Sequence, residues 1–152
     1  MNKKLTDPFS NSFLTVMPQL GMTDVNLMGV EDCDKKIDTP GVIVIVGLTG
    51  EVHGNVIFAL SEEGAKAIAS TMMCMPVEEF DDMAQSAVCE LSNMLAANAC
   101  TDLAAEGIAA DISTPTLMYG IFSANASFEQ VSRIVLTASG MPFYIYVALE
   151  QK

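Results

Sequence analysis

The pattern of hydrophobic positions divides the chain into paired strands separated by helices. Residues 41–48 and 51–60 are rich in Val and Ile and are joined by two turn residues, which predicts an antiparallel β-hairpin. Residues 131–138 and 143–150 flank a short Ser-Gly-Met-Pro turn and predict a second hairpin. Strands that come in adjacent pairs, rather than alternating singly with helices, indicate an α+β fold.

Two main helices are expected between these hairpins. Ser61 is a suitable N-cap for a helix that continues to Met73. A longer helix of about 25 residues should begin near Asp81 or Asp82, where negative charge is favoured, and should end by Gly107. The expected architecture is therefore two helices packed on a sheet of antiparallel strands.

The remaining segments have less regular patterns. Residues 9–20 carry apolar side chains at helical spacing, but Pro18 has no backbone N–H to donate, so this first helix is predicted to be short or bent. The charged run at residues 31–36 is interpreted as a solvated turn or strand end. Residues 114–116, Thr-Pro-Thr, predict an extended segment that leads into another strand.

Length and composition limit the class of protein. A chain of 152 residues is long enough for one domain, which we expect to span residues 1–152, and too short for two full domains. Hydrophobic residues make up 51% of the chain and charged residues 17%, which excludes a disordered acidic chain. The formal net charge of −12 disfavours nucleic acid and anionic membrane surfaces as partners.

The start of the chain does not resemble an export signal. Lys3 and Lys4 are followed by polar residues where a signal peptide requires an apolar segment. The most apolar stretch, residues 42–46, is far shorter than the ~20 residues that cross a bilayer. We therefore expect a cytoplasmic location.

The thiols and the imidazole of this chain do not predict a metal site. The single histidine is His53, and no Cys-x-x-Cys pair occurs among the four cysteines, which are Cys33, Cys74, Cys89 and Cys100. Zinc sites need four such ligands at close spacing, so the cysteines are interpreted as structural thiols. No chemistry is assigned to His53, because no neighbour in the sequence would orient it.

The longer predicted helix carries a polar stripe. When each residue is turned by about 100° from Ser86, Glu90 falls at about 40° and Asn93 at about 340°, so the three groups share one side. The opposite side carries the apolar residues expected to pack on the sheet, Val88, Leu91 and Leu95. The stripe should therefore face outwards, where its side chains can meet one target together.

The residues that flank the stripe are small and uncharged, namely Cys89, Ala96, Ala97 and Cys100. Lys, Arg or Gln would be more usual on a solvated helix face. Their absence indicates a surface that another molecule can approach closely. The predicted partner-docking residues are Ser86, Cys89, Ala96 and Ala97.

The spacing Ser-x-x-x-Glu-x-x-Asn is not specific by itself. Carboxylate and amide side chains one turn apart are common on exposed helices, so an ordinary solvated helix face is the alternative interpretation. The sequence also lacks a Gly-x-Ser-x-Gly motif and a Gly-rich phosphate loop with Lys. A self-sufficient active site is therefore not expected.

Three separated motifs make the pattern more specific. They are Gly47-Leu48-Thr49-Gly50 with Gly54-Asn55-Val56-Ile57-Phe58, then Ser86-x-x-x-Glu90-Leu91-x-Asn93-Met94, and finally Thr114-Pro115-Thr116. In this order and with these gaps, the chain resembles the CheX members of the CheC/CheX/FliY family of chemotaxis phosphatases. The resemblance covers residues 40–150.

The resemblance implies a fold with pseudo-twofold internal organisation and an enzyme that hydrolyses the aspartyl phosphate of a CheY-like receiver domain. Asn93 matches the catalytic amide of the family and would orient the attacking water. Glu90 would pair with the active-site lysine of the receiver. The resemblance further implies that Mg²⁺ sits on the receiver, that this chain binds no cofactor, and that it forms a homodimer.

Two further expectations follow from the resemblance. CheC members carry a second copy of the motif on the N-terminal helix, whereas residues 9–23 contain no glutamate here, so one site per chain is expected. The alternative function is a non-catalytic module that binds a receiver domain or a flagellar-switch partner through the same face. The presence of both Glu90 and Asn93 favours the enzyme, because a scaffold does not need the amide. A purely structural domain would leave the small residues beside the stripe unexplained.

Overall fold

A computed structural model of the protein describes residues 3–126 and 131–151. The helices in this part of the chain are α1 (Lys3–Gln19), α2 (Glu62–Met73) and α3 (Asp82–Ala105). The strands there are β1 (Asn26–Cys33), β2 (Lys36–Asp38), β3 (Val42–Gly50), β4 (Val52–Leu60), β5 (Ala110–Ile112), β6 (Thr116–Tyr119), β7 (Ser123–Asn125), β8 (Val131–Ala138) and β9 (Met141–Gln151). The predicted α+β class is confirmed.

Seven of these strands form one antiparallel sheet. Its order is β1-β8-β9-β4-β3-β5, and β6 pairs with β3 along the same edge as β5. The two predicted hairpins, β3–β4 and β8–β9, are confirmed and form the centre of the sheet. Ser139 and Gly140 have positive φ angles of 51° and 79°, which suits the tight turn between β8 and β9.

The order of the strands has internal twofold symmetry, as the resemblance to the family implied. The series α1-β1-β2-β3-β4 is matched along the chain by α3-β6-β7-β8-β9. Exchanging the two series maps the sheet onto itself, because β1 pairs with β8 as β6 pairs with β3, and β2 pairs with β7. In this scheme α2 and β5 lie outside the repeat.

The helices cover one face of the sheet, and the short β2–β7 pair lies on the other. Alternate residues of β3 separate the two sides: Val42 and Val44 belong to the core beneath the helices, and Ile43 packs in a smaller cluster with Ile37 of β2. This alternation is expected for a strand that is buried on both faces. No helix within the described ranges is long and apolar enough to cross a membrane.

Local capping explains where α2 and α3 begin. The Ser61 hydroxyl accepts a hydrogen bond from Gly64 N at 3.0 Å, and the Asp81 carboxylate accepts one from Ala84 N at 2.9 Å. Each satisfies a backbone N–H that the first turn would otherwise leave unpaired. Both helices therefore begin where the sequence predicted, and α3 is the longest at 24 residues.

Helix α1 is longer than predicted. It begins at Lys3 and has 17 residues, with Pro18 in its last turn. At that position the missing backbone N–H of proline affects only a hydrogen bond of the last turn. Phe9, Phe13 and Met17, spaced one turn apart, are almost fully buried, so tertiary packing stabilises a helix that local propensity alone made uncertain.

Candidate docking and catalytic face on helix α3

The polar stripe lies on the solvent side of α3. The helix packs against α1, α2, β3 and β5, and its buried residues are Ala84, Val88, Leu91, Ser92, Leu95, Ala96, Ala99 and Leu103. Ser86, Glu90, Asn93 and Ala97 are all exposed. The predicted orientation of the helix is therefore confirmed: its apolar side contacts the core, and its three polar side chains share the outer side.

The flanking residues do not all belong to this surface. Cys89 and Cys100 are half-buried, whereas Ala96 is fully buried in the core. The prediction of Ala96 as a docking residue was wrong, because its small size was interpreted as a surface property. At about 280° from Ser86 it lies close to Ser92, at about 240°, which is also buried.

Glu90 and Asn93 are available to a partner. Within the described residues, neither side chain makes a hydrogen bond or an ion pair. Nothing in the fold therefore has to break before these groups engage another molecule. The amide of Asn93 can donate and accept hydrogen bonds at once, and the carboxylate of Glu90 is an acceptor with negative charge.

The segment of the chain that carries the stripe is acidic. From Ala67 to Ser132 the sequence contains no Lys, Arg or His, and this segment includes all of α3. The acidic groups before α3 are Glu78, Glu79, Asp81 and Asp82, all of which are exposed. A cationic group on a partner would meet favourable potential here.

The cysteines beside the stripe are not suited to nucleophilic catalysis. Burial raises the pKa of the Cys89 thiol above its ordinary value. Burial, assisted by the negative charge of Asp111, also raises the pKa of Cys100. Because the thiolate is the nucleophile, a raised pKa leaves both groups protonated and unreactive near neutral pH.

The fold brings together two of the three sequence motifs. Ser113, directly before Thr114-Pro115-Thr116, donates its backbone N–H to Gly47 O at 2.8 Å, and its hydroxyl accepts from Gly47 N at 2.8 Å. These bonds hold the segment between β5 and β6 along the edge of β3. As predicted, the Thr-Pro-Thr segment is extended and leads into β6.

His53 lies on a different element from the stripe. It is a residue of β4, and its Nε2 is 3.7 Å from the Glu150 carboxylate on the adjacent strand β9. In residues 3–126 and 131–151, no three His, Cys, Asp or Glu side chains converge as metal ligands. The candidate chemistry of the described residues is therefore that of a docking surface with a carboxylate and an amide.

A hollow that none of the three sequence motifs marks adjoins the stripe. It has a volume of about 370 Å³ and is lined by Met73, Asp82, Met83, Ser86 and Ala87. The hollow lies between the end of α2 and the first turn of α3. A signal was present in the sequence, since Met72, Met73, Met75 and Met83 are four of the 11 methionines of the chain.

Comparison with known proteins agrees with this arrangement. Residues 42–136 match the family model described as chemotaxis phosphatase CheX. A protein named CheY-P phosphatase CheX, from Thermotoga maritima, is 35% identical over 80 residues. That alignment spans 52% of this chain and 52% of the Thermotoga protein, so the chain covers about half the length of this curated relative.

Two solved structures share the fold over nearly the whole chain. A chemotaxis protein CheX from Desulfovibrio desulfuricans superposes with a TM-score of 0.86 at 19% identity, covering 96% of this chain and 99% of that one. CheX in a complex with CheY, BeF₃ and Mg²⁺ from Borrelia burgdorferi has a TM-score of 0.76 at 28% identity, covering 97% and 98%. Because the family model matches more than half of this chain, the chain belongs to the CheX family.

Proposed function

We propose that this protein hydrolyses the aspartyl phosphate of a CheY-like receiver domain, with Asn93 and Glu90 as the catalytic residues. The observation that carries the proposal is the exposed stripe of α3, where both side chains point to solvent without partners in the described structure. The Borrelia relative forms a complex with CheY, BeF₃ and Mg²⁺. Its phosphoryl-like group and metal ion suit a substrate that is a phosphorylated receiver.

The proposed role of Asn93 is to position water. Hydrolysis breaks the bond between phosphorus and the aspartyl oxygen while a water oxygen forms a new bond to phosphorus, and the carboxylate leaves. An amide can accept a hydrogen bond from the water and donate one to a phosphoryl oxygen, which holds the water in line. Phosphoryl transfer depends mainly on such positioning and on charge stabilisation, so no covalent step on this chain is required.

The proposed role of Glu90 is to set the register of docking. It lies one turn before Asn93 on the same stripe, so a charge pair with the receiver's lysine would bring the amide to the phosphoryl group. The pair becomes desolvated when the two surfaces meet, which makes it sensitive to loss of either partner. Mg²⁺, in this proposal, belongs to the receiver and neutralises phosphoryl charge there.

Small side chains beside the stripe support close approach. Ala97 is exposed at about 20° from Ser86, one turn beyond Asn93. Cys89 is half-buried on the other side of the stripe. We include Ser86, Cys89 and Ala97 in the proposed docking surface, because none of them has a long side chain that would hold a partner away from Asn93.

The proposal is tested with a panel of phosphorylated receiver domains. We expect the purified protein to accelerate phosphate release from at least one receiver well above that receiver's own rate. Tight binding to a beryllofluoride-loaded receiver without acceleration would instead support the non-catalytic module. If no receiver in the panel is bound or dephosphorylated, the phosphatase and the receiver-binding module are both overturned, and only a module for a flagellar-switch partner is left.

A further inference from the structure

The hollow at the N-terminal end of the stripe is a shallow and mainly apolar depression, which we call the socket. Met73 contributes from the last residue of α2, and Met83 and Ala87 contribute from α3. Met83 is 65% exposed although it is a large apolar side chain. Flexible, polarizable thioether side chains adapt to irregular partners. An exposed Met83 beside the half-buried Met73 is therefore more typical of a protein interface than of a solvated helix.

The socket is held in place by the loop between α2 and α3. Val77 N donates to the Ser70 hydroxyl at 3.0 Å, and the Gln85 amide donates to Phe80 O at 2.9 Å. Phe80 is buried and packs edge-on against Tyr119, with ring centroids 5.5 Å apart. A socket with a fixed frame needs little reorganisation before it binds, which favours affinity.

The socket is continuous with the proposed docking stripe. Ser86 belongs to both surfaces, and Asp82 places a carboxylate at the rim one turn earlier. Glu78 and Glu79 add negative charge in the preceding loop, and no cation lies in the sequence between Lys66 and Arg133. A partner that covers Glu90 and Asn93 therefore has an apolar, acid-rimmed hollow within reach.

We infer that the Met73–Met83 socket takes an apolar side chain from the surface of the receiver domain, flanked there by a Lys or Arg that faces Asp82. This inference rests on the proposed function and adds a second anchor to it. The stripe supplies the chemistry that all receivers share. The socket contacts the receiver beside its phosphorylation site, so the side chain that a receiver carries there contributes to its affinity.

The test uses Met83→Gln, which keeps the length of the side chain and makes its end polar. Its matched control is Met28→Gln, because Met28 on β1 is exposed to the same 65% but lies at the far edge of the sheet. The probe is the receiver that the wild-type protein dephosphorylates, with its beryllofluoride form used for affinity. Steady-state turnover and melting temperature are measured for all three proteins.

We expect Met83→Gln to weaken receiver binding about tenfold and to raise KM while kcat stays near the wild-type value, since the lost contacts are equally strong in the bound ground state and in the transition state. Met28→Gln should change neither quantity. Asp82→Asn should flatten the dependence of affinity on salt, because one interfacial charge is removed.

Several results would overturn the inference. Equal loss for Met83→Gln and Met28→Gln would show a general effect of surface polarity. If the wild-type protein is active and Met83→Gln binds and turns over the receiver normally, the role of the socket is refuted, whereas the proposed function is not. If Met83→Gln changed the oligomeric state of the protein in the absence of a receiver, the socket would be assigned to a contact between copies of the chain.

Discussion

Helices α1 and α3 occupy equivalent places in the twofold repeat and share most of their buried positions. A shift of 83 residues superposes the buried series Pro8, Phe9, Ser12, Phe13 and Val16 on Leu91, Ser92, Leu95, Ala96 and Ala99. Ser12 donates its hydroxyl to Leu95 O at 2.7 Å, and these two residues are themselves 83 positions apart. The helices therefore contact each other where equivalent residues meet, as expected near a twofold axis.

The outer faces of the two helices differ where the chemistry is proposed. The same shift places Asp7 opposite Glu90, Ser10 opposite Asn93 and Leu14 opposite Ala97. Ser10 is only 4% exposed, so α1 presents no amide or hydroxyl at that place. The twofold repeat thus preserves most packing positions, but the position that carries the exposed Asn93 on α3 is buried on α1. The comparison supports one site per chain.

The two helices should differ most in how phosphatase activity responds to loss of the Asn93 amide. Asn93→Ala is expected to lower phosphate release from the receiver about 10²-fold or more, because a group that positions the reacting water is lost. Its melting temperature should stay near the wild-type value, because the side chain is exposed and has no hydrogen-bond partner among the described residues. Single-turnover dephosphorylation and thermal unfolding provide the two measurements.

Two controls accompany that change. Ser10→Ala alters the equivalent position on α1, and removal of its buried, unpaired hydroxyl should leave turnover unchanged and stability equal or slightly higher. Ser92→Ala, next to Asn93, removes a buried hydroxyl that donates to Val88 O at 3.0 Å and should leave activity largely intact. Normal phosphatase activity of Asn93→Ala would refute its role.

The second difference concerns charge. Glu90→Ala should weaken binding to the beryllofluoride-loaded receiver by about 2–5 kcal/mol, the usual cost of truncating one partner of a desolvated charge pair. Asp7→Ala, at the equivalent exposed position of α1, should leave affinity unchanged. Isothermal titration of both variants decides the matter. Equal affinities for both variants and the wild type would make Glu90 an ordinary solvated residue.

The third and smallest difference is one of shape. Ala97→Leu gives α3 the residue that α1 carries at the equivalent position, where Leu14 is half-buried. Leucine is a good helix former, so stability should change by no more than about 0.5 kcal/mol. Receiver binding should fall about tenfold, because the bulkier side chain keeps the two backbones apart.

The reverse substitution on α1, Leu14→Ala, is the control for this test. Leu14→Ala should cost about 1 kcal/mol of stability through lost apolar burial, without an effect on turnover. If Ala97→Leu unfolds the chain, the stripe faces a subunit contact instead of solvent. If it folds and binds the receiver normally, the partner does not dock on this side of α3.

Much of the fold could be predicted because the signals were local. The caps Ser61 and Asp81 satisfy their own first turns, so the starts of α2 and α3 follow from a few neighbouring residues. Segments rich in Val and Ile on either side of a two-residue turn identified β3 and β4. In contrast, β1 was not predicted, because nearly all of its residues are exposed at the edge of the sheet and no alternating pattern arises.

The sequence by itself determined which residues can carry the proposed chemistry, and the tertiary structure set which of them reach the surface. The spacing of Ser86, Glu90 and Asn93 puts them on one side of any helix, since 100° per residue is a local property. Whether Ala96 is exposed depends on how the core closes around α3, and the structure buries it. The length of α1 likewise arises from contacts between distant segments, which no local pattern encodes.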